Sequence, residues 1–402
     1  MVAVPELLAD YVDRISDVDS HEMMPAELWV EAFGDAAAPL AQRFIDGRDP
    51  ADPGYWSIPG CVTDTAHVDE ATVWTTKGPT APGAIDPACR IAVLDAMGVR
   101  RQLMFPTSIG HCGAFIRTYP EGAGQFDGIT TDRRGYARLL FAAYNTWAAS
   151  RAVGNDRVRP VFVLYGDTPA ELISVAERAV AAGARAVALL SGEPPAGRSP
   201  AHPSLDPLYA LLAAQDVALT VHLGSEGGFV ATTTWRDAPV FDGYRISGEF
   251  TGDPWTRSTM HLAAQNMTMT MITGGVFDRH PQLRFGVIEL GAHWVGPLAE
   301  LLDLWADNSQ GISRDSVRAS DLQRQPSDYL RSNVRVTPFV FEPVDVYLDR
   351  YDLADVLCFS TDYPHVEGGR DPLGRFASLL ERHGRDVLEK FFVRNGQLLL
   401  PD

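Results

Sequence analysis

The chain predicts an α/β protein, a (β/α)8 barrel, on three observations. About eight short apolar runs recur along its 402 residues. Most are followed by a stretch with apolar residues at helical spacing. The runs are continuously apolar rather than alternating, which suits a parallel sheet covered on both faces. A doubly wound open sheet is the alternative, but no G-x-G-x-x-G follows the first run.

The first element is "SDVDSHEMMP", residues 16–25. Asp17, Asp19 and His21 alternate with Val18 and Ser20, and alternation puts all three on one face of a strand. Residues 25–84 read as irregular, rich in Pro, Gly, Asp and Ala, with Trp56 and Trp74 embedded. A helical pattern over 86–99 stops at Gly98, and "RQLMFPT" (101–107) is a buried strand. His111 follows in a loop, "SIGHCGAF". Residues 132–153 are a long helix and 158–164 a strand. The helix over 168–183 has Thr168 as its N-cap and Gly183 as its stop. Strands follow at 184–190, 217–223, 283–290, 333–338 and 355–361. Helices fill 205–215, 257–273, 293–306, 343–353 and 371–382. The methionines of "MTMTM" (267–271) read as core packing within a helix. Segments 25–84 and 223–256 are too long for plain connections, and long loops in compact domains are often functional.

Composition narrows the function. The net charge is -18, from 52 acidic against 34 basic residues, with no basic stripe to neutralise phosphates, so a nucleic-acid partner is not expected. Cys61, Cys89, Cys112 and Cys358 are scattered without C-x-x-C, which argues for reduced thiols rather than a disulfide framework or structural zinc. The start, "MVAVPELLADYVDR", lacks a basic region and a long apolar run, so no signal peptide is expected. No apolar stretch approaches about 18 residues, so no membrane partner is expected and the location reads as cytoplasmic.

Chemistry in such a barrel sits at the C-terminal ends of strands. Four runs end in polar groups: Asp19-Ser20-His21, His222, Glu289 and Asp362. Two imidazoles and several carboxylates suit Fe, Mn or Zn with open coordination positions. Such an ion polarises a carbonyl and lowers the pKa of a bound water, whose proton a neighbouring carboxylate takes. Asp17 lies deeper in the strand and reads as support. His293, His261, His365 and His111 are candidates for orienting ligands or substrate, each with a structural alternative. Trp56 and Trp74 are either an aromatic wall over substrate or anchors for their segment.

These motifs resemble the amidohydrolase superfamily, in the amidohydrolase-related branch that includes aminocarboxymuconate-semialdehyde decarboxylase and aromatic-acid decarboxylases. The resemblance covers nearly the whole chain and is clearest in "DVDSHEMMP", "TVHLG", "MITGGVFDRHPQLRFGVIELGAHW" and "FSTDYPHVEGGRDP". It implies a single distorted barrel over 1–402 with one or two divalent metal ions, and a homodimer. Asp19-Ser20-His21 stands as a D-x-H version of the first-strand motif, His222 matches the fifth-strand histidine, and Asp362 matches the eighth-strand aspartate that ligates metal and acts as base. Glu289 departs from the branch, where decarboxylases usually carry histidine. That departure turns the expectation towards a hydrolase in which metal-bound water attacks a carbonyl carbon of a largely apolar small molecule. The bond is an amide, ester, thioester or C–C bond, with 25–84 and 223–256 as substrate cover. A non-oxidative decarboxylase and a non-catalytic ligand-binding barrel are the alternatives.

Overall fold

The computed structural model describes residues 4–47, 56–58, 60, 67–119, 126, 128–230, 234–243, 252–312 and 322–401, with backbone alone over 309–312. Seven strands form one parallel sheet in sequential order: β1 (Ile15–Asp17), β2 (Val99–Met104), β3 (Val158–Val163), β4 (Ala186–Leu189), β5 (Ala218–His222), β6 (Phe285–Ile288) and β7 (Val334–Val336). The last predicted strand is not part of this ladder, yet it closes the sheet. Cys358 N–H donates to Val336 O on the β7 side. Val18 N–H donates to Phe359 O, His21 N–H to Tyr363 O and Asp362 N–H to Asp19 O on the β1 side. These bonds join the two outer strands of the described sheet and close it on itself.

The interior is filled by apolar side chains. Val18, Leu103, Val161, Ala186, Ala218 and Ile288 form an inner cluster, which Leu399 and Leu400 plug from the chain's last turn. A Cβ on Gly286 would lie 2.8 Å from Leu399 Cδ1, so glycine makes room for the plug. The larger core lies between the strands and the helices around them. The helix Pro169–Ala181 begins where expected: Thr168 accepts from Glu171 N–H, and Gly183 takes φ +91° after its end. Met267 and Met271 are buried on the helix Leu262–Thr273, as core packing requires.

Local departures have local causes. The 257–273 helix is two, Pro254–Thr259 and Leu262–Thr273, and Asp253 caps the first by accepting from Thr256 N–H. The described part of 25–84 is not irregular but built of short helices, among them Trp29–Phe33 and Ala38–Ile45. Trp56 and Trp74 are buried there in the core, where they anchor the segment. His111 lies not in a loop but on the helix Ile109–Thr118. Two glycines in that segment masked its helical pattern: Gly110 and Gly113 sit where a Cβ would meet Pro106 or Phe141 within 3.0 Å. Cys61 lies outside the described residues; Cys112 and Cys358 are buried and Cys89 is exposed. No described helix is long and apolar enough to cross a membrane.

Candidate metal centre

The site is assembled at the C-terminal ends of the strands. Beyond β1, backbone bridges Ser20↔Tyr363 and His21↔Phe105 carry Asp19 and His21 to the barrel mouth. On β5 and β6 the register pairs His222 with Ile288, so Glu289 is the next residue out. Glu289 and Asp362 both hold positive φ, 57° and 51°. That conformation is unfavourable for a residue with a Cβ and recurs at functional sites. Here it turns both carboxylates towards the barrel axis. Thr337 at the end of β7 holds the first turn in place by accepting from Glu289 N–H at 2.8 Å.

Two groups of four share His21 and Glu289: Asp19, His21, His222 and Glu289, and His21, Glu289, Asp362 and His365. In each, one ligand atom per residue lies within 4.8 Å of the others. His21 Nε2 is 3.3 Å from Asp19, 3.3 Å from Asp362 and 3.7 Å from Glu289. His222 Nε2 is 3.3 Å from Asp19 and 3.2 Å from Glu289.

The other ring nitrogens decide the tautomers. Leu223 O lies 3.0 Å from His222 Nδ1; a carbonyl only accepts, so Nδ1 donates and Nε2 is left to face the carboxylates. The Asp362 carboxylate lies 2.8 Å from His365 Nδ1 and accepts a hydrogen bond from Nδ1–H. Thr107 Oγ1 lies 2.8 Å from His21 Nδ1 and 3.2 Å from His365 Nε2. A consistent chain runs from His21 Nδ1–H to Thr107, and from Thr107 O–H to His365. With an ion in place of the second proton, His21 would present a lone pair from Nε2.

Lone pairs and carboxylates facing one another in a buried space repel, and a cation among them removes the conflict. Among the described residues His21 Nε2 and Asp19 Oδ2 are buried without a hydrogen-bond partner, as ligand atoms of an ion would be. The donor set therefore fits a divalent metal. The electrostatics agree. Burial opposes charge on His21, but Asp19, Asp362 and Glu289 more than offset it and hold its pKa well above the ordinary range. The same field favours a metal cation in the proton's place. Burial, then the Asp362 charge, raises Glu289. Burial also works to raise Asp362, but His365 and His21 outweigh it and hold that carboxylate below its ordinary range.

Asp17 stands outside the cluster. It accepts from Thr361 Oγ1 and Gln102 Nε2, each at 2.6 Å, and from Thr361 N–H at 2.9 Å. Burial nonetheless pushes its pKa up to about 7. These bonds tie β1, β2 and the closing segment together directly beneath Asp19 and Asp362.

A family model for the amidohydrolases, Amidohydro_2, matches residues 123–400. The chain belongs to the amidohydrolase family. A comparison with curated proteins gives no match. Among solved structures, this amidohydrolase is similar to an amidohydrolase of Mycobacterium avium subsp. paratuberculosis K-10, at 21% identity and a TM-score of 0.66, covering 96% of this chain and 99% of that one. It is also similar to 5-carboxyvanillate decarboxylase of Novosphingobium aromaticivorans, whose structure holds manganese and 3-methoxy-4-hydroxy-5-nitrobenzoic acid (17% identity, TM-score 0.59, 96% and 97% covered). The 2,6-dihydroxybenzoate decarboxylase from Rhizobium follows at 16% identity and TM-score 0.51, with 85% and 95% covered. At these identities the likeness is one of fold.

Within this amidohydrolase the structure draws together Asp19, His21, His222, Glu289, Asp362 and His365. It leaves His261 and His293 outside the cluster. Their rings pack edge to face at 4.5 Å, and His293 Nδ1 lies 3.7 Å from Glu342. Three groups around the site are additions. Thr107 and Thr337 are polar residues shortly after β2 and β7, at the ends of the apolar runs 101–107 and 333–338, where hydroxyls are as visible in sequence as carboxylates. Glu22 is buried and accepts from Ser108 N–H, Thr107 N–H and Met24 N–H, which orders the turn bearing Thr107. Its signal is a carboxylate directly after His21.

Proposed function

We propose that this amidohydrolase is a metal-dependent hydrolase of a small, largely apolar carbonyl compound, acting at an amide, ester, thioester or activated C–C bond. The observation that carries the reading is the pair of Nε2 atoms, on His21 and His222, facing Asp19, Glu289 and Asp362 in a buried space. Asp19, His21, His222 and Asp362 would hold the ion, with Glu289 completing the set or bridging to a second. Bound there, Fe, Mn or Zn would supply Lewis acidity towards a carbonyl and lower the pKa of water. Asp362, hydrogen-bonded to His365, would accept the proton released as a nucleophile forms. Asp17 and Thr107 keep the ligands aimed, and Thr337 keeps Glu289 turned inward. The segments 25–84 and 223–256 serve as substrate cover over a single domain spanning 1–402.

Metal analysis of protein purified without chelator tests the centre. About one equivalent of Fe, Mn or Zn, or activity rescued by one of them, is the expected result. Less than about a tenth of an equivalent with no rescue would defeat the reading. A product screen by mass then tests the chemistry, with gain of water expected. Non-oxidative decarboxylation is the second reading, favoured by the fold likeness to two decarboxylases of aromatic acids. Loss of carbon dioxide from a product would select it.

A further inference from the structure

The imidazoles of the cluster are each oriented by a hydrogen bond: His21 by Thr107, His222 by Leu223 O, and His365 by Asp362 and Thr107. His111 differs. Neither of its ring nitrogens has a hydrogen-bond partner among the described residues, and packing alone sets its place. Its ring lies 4.7 Å from that of Phe115. On the other side it rests on the backbone of Gly224, two residues after His222. A Cβ there would stand 2.1 Å from His111 Cε1. Gly224 also holds φ +92°, so glycine serves both the turn and the imidazole.

His111 and His222 line one small cavity of about 30 Å³. Its other walls include Phe105, Val163, Ala188 and Leu190, and no lysine, arginine or carboxylate lines it. Such a volume takes a group of about one or two heavy atoms. An imidazole there offers a ring N–H to an oxygen acceptor.

We propose that His111 and this cavity form a subsite for an uncharged acyl-type substrate: the imidazole bonds to a substrate oxygen, and the substrate's short apolar end enters the cavity. The proposal rests on the metal-centre reading above and names the substrate class for that site. It assigns Gly224 the role of seating His111.

The test uses the full chain loaded with manganese and two probes, acetohydroxamate and succinohydroxamate, with affinities measured by calorimetry. His111→Phe keeps the ring packing and is expected to bind acetohydroxamate about tenfold more weakly, with unchanged manganese content. His111→Gln restores a donor and recovers part of the loss. Gly224→Ala displaces the imidazole and matches His111→Phe. Succinohydroxamate, with its charged tail, is expected to bind the wild type at least about tenfold more weakly than acetohydroxamate. Equal acetohydroxamate affinity in wild type and His111→Phe, or equal affinity for the two probes, overturns the subsite and leaves the metal centre standing. A wild type that loads manganese but does not bind acetohydroxamate does the same. A wild type that holds no manganese overturns both readings.

Discussion

At the residue scale, the centre depends on which nitrogen of each histidine carries the proton. Thr107 governs this for His21 and His365 together, through bonds of 2.8 and 3.2 Å. Thr107→Val keeps the shape and removes the hydroxyl. Metal affinity or activity should fall about 10- to 100-fold, the usual cost of losing an outer partner of a ligand. Titration of the variant with manganese, alongside a melting curve to confirm folding, measures this. Affinity equal to the wild type would mean that the tautomer of His21 is set in another way. His222→Ala removes one of the proposed ligand atoms, and its metal content after dialysis should drop to near zero while the fold persists. Full occupancy in that variant would remove His222 from the ligand set.

At the scale of elements, the ends of strands are held by buried carboxylates that touch no ion. Asp17 joins β1, β2 and the closing segment through Gln102 and Thr361. Asp17→Ala leaves those buried donors without an acceptor, and a loss of about 3 kcal/mol is expected by urea denaturation. A loss below about 0.5 kcal/mol would show that water or relaxation satisfies them. Glu342 does the same work after β6. It accepts from Ala292 N–H, His293 N–H and Phe339 N–H and so joins the turns that follow β6 and β7. Beside it, His261 is pushed down to about 4 by burial and by His293, against the opposing charge of Glu342. The sign follows from linkage. The unfolded chain binds a proton at this histidine near its ordinary value of 6.5 and the folded chain only near 4, so the folded state loses stability as pH falls from about 6.5 to 4. Melting temperatures of wild type and His261→Gln should therefore differ less favourably for the wild type at pH 5 than at pH 8. A difference that does not change with pH would place the His261 titration elsewhere.

At the scale of the whole molecule, barrel closure and ion binding act on the same residues. The segment that closes the sheet, by bonds from Cys358 to β7 and from Asp362 and Tyr363 to β1, also delivers Asp362. An ion joining Asp362 to Asp19, His21 and His222 would clamp the first, fifth and closing positions of the barrel. Removing metal with a chelator should lower the melting temperature. Manganese at about 100 times its dissociation constant should restore about 2.7 kcal/mol. A melting temperature indifferent to chelator and manganese would separate closure from ion binding. Much of this was legible in sequence because barrel strands are continuous apolar runs, and a polar residue ending such a run stands out. Asp19, His21, His222, Glu289 and Asp362 all carried that mark. The helix bearing His111 did not, because its glycines serve contacts with Pro106 and Phe141 that no local pattern reveals. Thr107 and Thr337 carried the mark but, as hydroxyls, look like ordinary strand ends until their partners are seen.

The sequence by itself determined the order of strands and helices, the apolar periodicity that makes a parallel barrel, and the residues that reach its mouth. These are local properties, set by the spacing of side chains along one segment. The tertiary structure alone decided which of the ten histidines meet. His21, His222 and His365 converge because parallel register and closure bring the strand ends together, whereas His261 and His293 pack against each other outside the cluster. It also decided the tautomers, which follow from carbonyl, hydroxyl and carboxylate partners distant in sequence. The opening motif divides on the same ground: Asp19 and His21 face the centre, while Asp17, on the same strand face, is consumed by bonds to Gln102 and Thr361.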